Sequence, residues 1–304
     1  MIIADDLTGA CDTGAAFAPG AVVVLDAAAL GSRPEATLVY STHSRGDTAE
    51  AAAAKTRTIA ASLPAHDLLY KKVDSVLRGN IRAEVAALGE RRAIACTAFP
   101  EQNRVVVEGV AHPPGIALRD AMPEWVEIRD ASSSEDLEAI AEEALAMSPM
   151  PMLIGSAGLA RAIAGRRPEI AVNPRPGPAV LVIGSRHEVT REQVAHLRAQ
   201  GRSSYLLYEV DMPSPSPAQL AMIRADLAAR LCGGLIVSGG DTALAILRLL
   251  GTEAILLDGE VEPGIPIGRL EGGLASGLTV ITKSGGFGAP DALTCAAHLL
   301  SAHN

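Results

Sequence analysis

Residues 1–18 read MIIADDLTGACDTGAAFA. The apolar run Met1–Ala4 ends on two adjacent carboxylates, Asp5 and Asp6. A Thr-Gly turn follows, then a small-residue helical pattern carrying a third acid, Asp12. In an α/β protein such a strand–turn–helix start is the usual place for a glycine-built phosphate cradle. This turn is acidic and would repel a phosphate, so it suits a ligand that donates hydrogen bonds.

The same unit recurs along the chain. An apolar run meets a polar or glycine-rich turn, and a helical pattern follows, at TLVYST-HSRGD, LLYKKV-DSVLRGN, MLI-GSAG, AVLVI-GSRHEVT, LIV-SGGDT and TVIT-KSGGFGAPD. Strands alternating with helices predict parallel sheets with crossover helices, whose ligands bind at the carboxyl ends of the strands. The composition agrees: 48% of residues are hydrophobic but only 3% aromatic, so the core is built from Ala, Val, Ile and Leu. The 304 residues suffice for two domains, and VNPRPGPA (172–179) is the best linker candidate. The expected organisation is therefore α/β with two domains, 1–173 and 178–304. Each carries a largely parallel sheet flanked by helices, with an active-site cleft between them. Asp47–Glu50 and Thr190–Gln193 read as capping boxes, and MPSPSPAQ (212–219) as a surface loop leading to a helix near Ala218.

Charge and cysteine usage narrow the function classes. The formal net charge is −9, from 35 acids against 26 bases, with no basic block, which argues against a nucleic-acid partner. Cys11, Cys96, Cys232 and Cys295 are scattered without a CxxC pair, as expected of free thiols in a reducing compartment. No run approaches the roughly 18 apolar residues of a membrane span. The expectation is a cytoplasmic protein with no membrane partner; the sequence leaves a homodimer open.

The turns of the two halves differ in chemistry. The N-terminal half carries Asp5, Asp6, Asp12, Arg45 and the run YKKVDSVLRGN, with Lys71, Lys72, Asp74, Ser75 and Arg78. In a strand, Lys72 and Asp74 share a face while Lys71 points the other way. Taken singly, a strand-end Lys or Arg is ordinarily a solvated or ion-paired residue, and Asp5 could simply cap a helix or close an Asx turn. Asp12 resists that reading: with Thr8 as N-cap it lies one turn into a helix among Ala, Cys, Gly and Phe. Together these residues ask for a ligand with an anionic end and several hydroxyls, a small sugar acid. The C-terminal half instead offers SGGDT (238–242), KSGGFG (283–288) and GSRHEVT (184–190), where backbone amides can converge on an anion. No GxxxxGK[ST] or GxGxxG occurs. Three such loops point to a polyphosphate, with Lys283 as a neutralising cation or a salt-bridge partner, and hence to ATP-dependent phosphorylation of a sugar acid.

The ordered segments ADDLTGACDTG, YKKVDSVLRGNI, GSAGLA, VSGGDTA and TKSGGFGAPD resemble the signature blocks of the four-carbon acid sugar kinases, long catalogued as a domain of unknown function. The resemblance implies a sugar-acid-binding N-terminal domain and an ATP-binding C-terminal one. Its implied reaction is phosphorylation of the terminal hydroxyl of threonate, erythronate or 3-oxo-tetronate. It further implies that Asp12, Arg45 and Lys72–Asp74–Ser75 contact the acid, while Ser185, the loop Gly239, Gly240, Asp241, Thr242, and Gly285–Gly286 contact ATP. Three departures are visible: the chain is short, Val76 replaces a hydroxyl residue, and Asn103 stands where glycine is expected.

The mechanism expected from these parts is phosphoryl transfer by positioning and charge neutralisation. Mg²⁺ and the glycine-loop amides, with Lys283, hold the ATP phosphates; Arg45, Lys72 and Arg78 orient the acid. An aspartate takes the hydroxyl proton, Asp12 first, then Asp74, then Asp5, with Asp5 or Asp6 alternatively positioning Mg²⁺ through water. The metal ligands themselves are not identified. A non-catalytic sugar-acid and nucleotide sensor is the rival reading, and a sugar-acid dehydrogenase a weaker one that lacks a dinucleotide fingerprint.

Overall fold

The computed structural model describes residues 1–26, 37–165, 170, 174–201, 205–211, 215–228 and 232–301. All seven apolar runs read from the sequence form strands: Ile2–Ala4, Thr37–Ser41, Tyr70–Lys72, Met152–Gly155, Ala179–Ile183, Gly234–Ser238 and Thr279–Lys283. The chain divides into two compact units, Met1–Phe17 with Thr37–Arg167, and Ala18–Ala36 with Pro168–Asn304.

The first unit holds a parallel sheet in the order Thr37–Ser41, Ile2–Ala4, Tyr70–Lys72, Met152–Gly155, Ala93–Cys96, Val126–Ile128. Ile2–Ala4, Tyr70–Lys72 and Met152–Gly155 are buried along their whole length, as expected of parallel strands covered on both faces. Ile3, Val73, Ile81, Val85, Ala95 and Ile154 form part of the core beneath the helices. From Ile2–Ala4 the chain first moves to one neighbour, Thr37–Ser41, then crosses to the other, Tyr70–Lys72. That reversal of direction opens a crevice at the carboxyl ends of these strands, where a parallel sheet receives its ligand. The turns bearing Asp5, Arg45 and Asp74 all leave from there. A small antiparallel meander, Val105–Val107, Val110–His112 and Ile116–Ala117, completes the unit.

The second unit is parallel over Tyr205–Glu209, Ala179–Ile183, Gly234–Ser238 and Thr279–Lys283. It continues antiparallel through Ile265–Glu271, Ala254–Glu262 and Ala21–Val24. Here too the order reverses, beside Ala179–Ile183, and the turns after it gather the glycine loops.

Several local expectations change. The range 1–173 gives Ala21–Val24 to the first domain, whereas this strand pairs with Ala254–Leu257 of the second unit. Four apolar residues whose partner lies far along the chain carry no local sign of their sheet. The linker candidate 172–179 begins at 172–173, outside the described residues, as do 212–214 of the Pro/Ser stretch. The helix after that stretch spans Pro217–Ala228. Thr48, not Asp47, caps the helix Ala49–Ser62, accepting from the Ala51 amide. His187 caps the helix Glu188–Ala199, so Thr190 lies inside it and makes no capping box.

Candidate functional site

The first helix, Leu7–Ala15, is capped by Asp6 rather than Thr8. Asp6 accepts from the Gly9 amide at 3.0 Å and the Thr8 hydroxyl at 2.7 Å. This satisfies orphan amides of the first turn and fixes both acids at the strand end. Arg45 then binds them together, donating Nε to Asp5 Oδ2 at 2.7 Å and Nη2 to Asp5 Oδ1 at 2.9 Å and Asp6 Oδ1 at 2.8 Å. Its Nη1 stands 3.6 Å from Asp74 Oδ1. Arg78 makes a second fork on Asp74, at 2.9 and 2.7 Å, and the Val76 and Arg78 amides also donate to Asp74, each at 3.2 Å. Burial alone would raise the Asp5 and Asp74 carboxyls. Arg45 on Asp5, and Arg78 and Arg45 on Asp74, with the Lys72 charge adding to both, hold them below the usual range instead. For Arg45, burial disfavours the charge, but Asp6, Asp5 and Asp74 outweigh it and raise its pKa.

Lys71 and Lys72 diverge as strand alternation requires. The Lys71 ammonium is fully buried, 2.7 Å from Glu84 Oε2, with a hydrogen bond to the Lys72 carbonyl. Glu84 is also buried and accepts from Ser44 Oγ at 2.5 Å. Lys71 therefore faces the interior and has its ion-pair partner there, which removes it from the set expected to meet the acid. Lys72 is 5% exposed, and its ammonium has no hydrogen bond or ion pair among the described residues. It lies against Gly9: a Cβ there would fall 2.7 Å from Lys72 Nζ and 2.4 Å from Asp6 Oδ1. A side chain at Gly9 would have to displace this ammonium and the Asp6 carboxylate. Ser75 is buried at the turn after the strand.

Asp12 sits deeper on the first helix, 3% exposed. Its counter-charge is Arg161, at 3.7 Å, which also meets Glu101 at 3.3 Å and stacks over the Phe99 ring at 4.5 Å. Arg161 belongs to the helix Ala157–Ala164 and directly follows the GSAGLA block, residues 155–160. Ser156 and Gly158 of that block act in packing. Ser156 caps the helix and donates to the Ala98 carbonyl at 2.7 Å, and a Cβ on Gly158 would fall 2.4 Å from the Ala98 oxygen.

In the second unit three loops converge. The Gly239 amide donates to the Lys283 carbonyl at 2.9 Å, and those of Gly184 and Ser185 donate to the Ser238 carbonyl. Gly239, at φ 107°, is the N-cap of the helix Gly240–Leu249 and supplies no side-chain cap. The amides of Gly240, Asp241 and Thr242 thus open the helix without a side-chain cap, with the Asp241 carboxylate in the first turn. A Cβ on Gly239 would stand 3.3 Å from the Ser185 nitrogen, and one on Gly285 only 2.1 Å from Ser185 Oγ. His187 lies over Gly286, its Nε2 3.1 Å from where a Cβ would be.

Lys283 has its ammonium engaged by its own loop. It is 1% exposed and donates to the carbonyls of Ser284, Gly285 and Phe287 at 3.0, 3.2 and 3.0 Å and to the Thr190 hydroxyl at 3.3 Å. Thr190 Oγ1 donates to the Gly285 carbonyl at 2.7 Å, and Gln193 Nε2 reaches the carbonyls of Phe287, Gly288 and Ala289. The carbonyls of the KSGGFGA loop are thereby gathered inward. The amides of Gly285 and Gly286 make no hydrogen bond among the described residues. Such a loop offers N–H groups to an anion. Burial lowers the Lys283 ammonium to about 7, with Glu262 opposing.

The sequence reading missed Arg161, Glu84, His187, Thr190 and Gln193. Thr190 and Gln193 had a legible signal: they share a helix face with the buried Val194 and Leu197, and polar residues in a buried stripe need partners. Among the described residues no group of three metal-ligating side chains is found, and none of the helices is long and apolar enough to cross a membrane.

Comparisons with known proteins follow this division. Residues 1–123 match a sugar-binding N-terminal domain family, and residues 214–293 a nucleotide-binding C-terminal domain family. A D-threonate kinase from Bordetella bronchiseptica is 30% identical over 98% of this chain and 96% of that protein. The alignment runs over 396 positions, more than the 304 residues present here, so that relative carries additional residues along its length. A 3-oxo-tetronate kinase from Cupriavidus necator is 25% identical over 76% of this chain and 77% of its own. A solved Haemophilus influenzae structure has the same fold, with TM-score 0.68 at 20% identity, covering 98% of this chain and 99% of that one. The chain belongs to the four-carbon acid sugar kinase family.

Proposed function

We propose that the protein is an ATP-dependent kinase that phosphorylates the terminal hydroxyl of a four-carbon sugar acid of the threonate, erythronate or 3-oxo-tetronate type. The observation that carries this reading is the contrast between the two units. One offers an ammonium, Lys72, with no direct ion pair among the described residues, beside hydrogen-bond-accepting carboxylates at its strand ends. The other offers amides at two loops, at Gly240–Thr242 and at Gly285–Gly286, with Ser185 beside them. An anionic polyol suits the first, and a polyphosphate the second.

In this reading the amides of Gly240, Asp241, Thr242, Gly285 and Gly286, with Ser185, hold the ATP phosphates. Lys283, Thr190 and Gln193 keep the loop in shape. Mg²⁺ bound with the nucleotide would supply charge neutralisation on the phosphates. Arg45 neutralises Asp5 and bridges to Asp6, which weighs against both as metal ligands. Asp12 accepts the proton of the terminal hydroxyl. Asp5 and Asp74 are each held by arginine forks and are weak bases, whereas the Arg161 contact to Asp12 is longer, at 3.7 Å. Arg161, stacked on Phe99, keeps the Asp12 carboxylate in place. The four free cysteines agree with a cytoplasmic, reducing setting.

The test is ADP release with Mg·ATP across a panel of tetronates and 3-oxo-tetronates. Turnover with one or more supports the reading. Ligand-induced thermal stabilisation without turnover would instead make the protein a sensor.

A further inference from the structure

A sugar acid has a carboxylate that must be met by a cation not already neutralised. In the first unit most candidates are engaged. Arg45 binds Asp5 and Asp6 and stands near Asp74. Arg78 binds Asp74, Lys71 binds Glu84, and Arg161 lies between Asp12 and Glu101. Besides Lys72, one further cation stands out, Arg104.

Arg104 follows the short 3-10 turn Pro100–Gln102 and Asn103, whose φ of 55° is left-handed. Asparagine tolerates that conformation better than most residues, which accounts for its standing where glycine is expected. Two backbone hydrogen bonds, Phe99 N–H to the Arg104 carbonyl at 2.8 Å and Arg104 N–H to the Phe99 carbonyl at 3.1 Å, pin the residue. Its Nε is buried without a hydrogen-bond partner among the described residues, and its guanidinium makes no ion pair there. A buried N–H left unpaired is unfavourable, and such groups in native folds ordinarily have a partner. Burial lowers the Arg104 pKa, Asp74 opposes this and Arg78 adds to it, so its charged neighbours are members of the site already described.

We propose that Arg104 binds the substrate carboxylate, forming with Lys72 the anion subsite that selects sugar acids over neutral polyols. Resting on the sugar-acid reading above, this assigns the acid end of the substrate to the Phe99–Arg104 turn. A guanidinium fork presented to a carboxylate gives directional, charge-assisted hydrogen bonds, which a neutral alcohol cannot match.

The test is calorimetric binding of D-threonate and of threitol, its neutral tetritol counterpart, to the full chain and to Arg104→Met and Arg104→Lys. Arg104→Met should weaken D-threonate binding about 10- to 100-fold, the usual effect of losing a hydrogen bond to a charged group. Threitol binding and the ATP KM should stay unchanged. Arg104→Lys, which keeps the charge but not the planar fork, should lose less than the Met variant but still more than about twofold, and it decides the matter if the Met variant misfolds. D-threonate binding within twofold of wild type in either correctly melting variant would overturn the assignment. Binding by wild type without turnover would sink the kinase reading and leave the Arg104 comparison intact. Turnover by wild type with an unaffected Arg104→Met would sink the assignment alone.

Discussion

Lys71 Nζ lies 2.7 Å from Glu84 Oε2, with both side chains removed from solvent, while the adjacent Lys72 has no ionic partner among the described residues. Breaking a buried pair by removing one partner strands the other charge, which costs about 3–5 kcal/mol. Lys71→Met should therefore lower the melting temperature sharply. Lys72→Met should leave it nearly unchanged but raise the KM for the acid at least about tenfold. Thermal melts beside steady-state kinetics separate the two. Equal melting losses would mean that Lys72 is structural as well.

Asp5 and Asp74 lie below the ordinary aspartate value of 3.8 in the folded chain. The unfolded chain thus takes up their protons first as pH falls. Their stabilisation is full above about pH 4 and is lost as pH drops through the folded values. Denaturant unfolding of wild type between about pH 2 and 7 should show a steep acid loss. Asp74→Asn should be less stable at neutral pH and flatter below pH 4. A variant whose curve runs parallel to wild type through that range would remove Asp74 from the account.

Gly239 has φ 107°, and a Cβ there would meet Thr242 Oγ1 at 3.2 Å and the Ser185 nitrogen at 3.3 Å. Strain of this kind costs about 1–3 kcal/mol. Gly239→Ala should be destabilised by that order and should raise the ATP KM while leaving the KM for the acid alone. Equal effects on both KM values would contradict the division of labour between the units.

The Lys283 ammonium has three N–H donors for four acceptors, and burial brings its pKa to about 7. Losing the proton removes a donor from the loop. The wild-type ATP KM should rise as pH climbs past about 7, and Lys283→Met should start high and lose that pH dependence. A Lys283→Met enzyme with a normal ATP KM would show that the loop needs no such anchor.

Much of this was legible in the sequence because the information was local. Apolar runs ending in polar turns gave the seven strands and both groups of loops, and strand alternation separated Lys71 from Lys72. The rest depends on contacts between distant residues. Ala21–Val24 finds its partner at Ala254–Leu257. Arg161 approaches Asp12 only once the Ala157–Ala164 helix packs against the Ala98 carbonyl. Lys283 resembled a phosphate ligand because a strand-end lysine before glycines suits either role. Only the positions of the loop carbonyls decide that it turns inward.

The central claim is phosphoryl transfer from ATP to the terminal hydroxyl of a tetronate. Phosphorus NMR of the product formed from D-threonate, or from the best acid of the panel, with Mg·ATP tests it most directly. The account predicts one ADP per new phosphomonoester, a resonance split into a triplet by the two protons of the terminal CH₂, and no product from a folded Asp12→Asn variant. A doublet from an internal CH–O–P linkage, or ADP without a phosphoester, would contradict it.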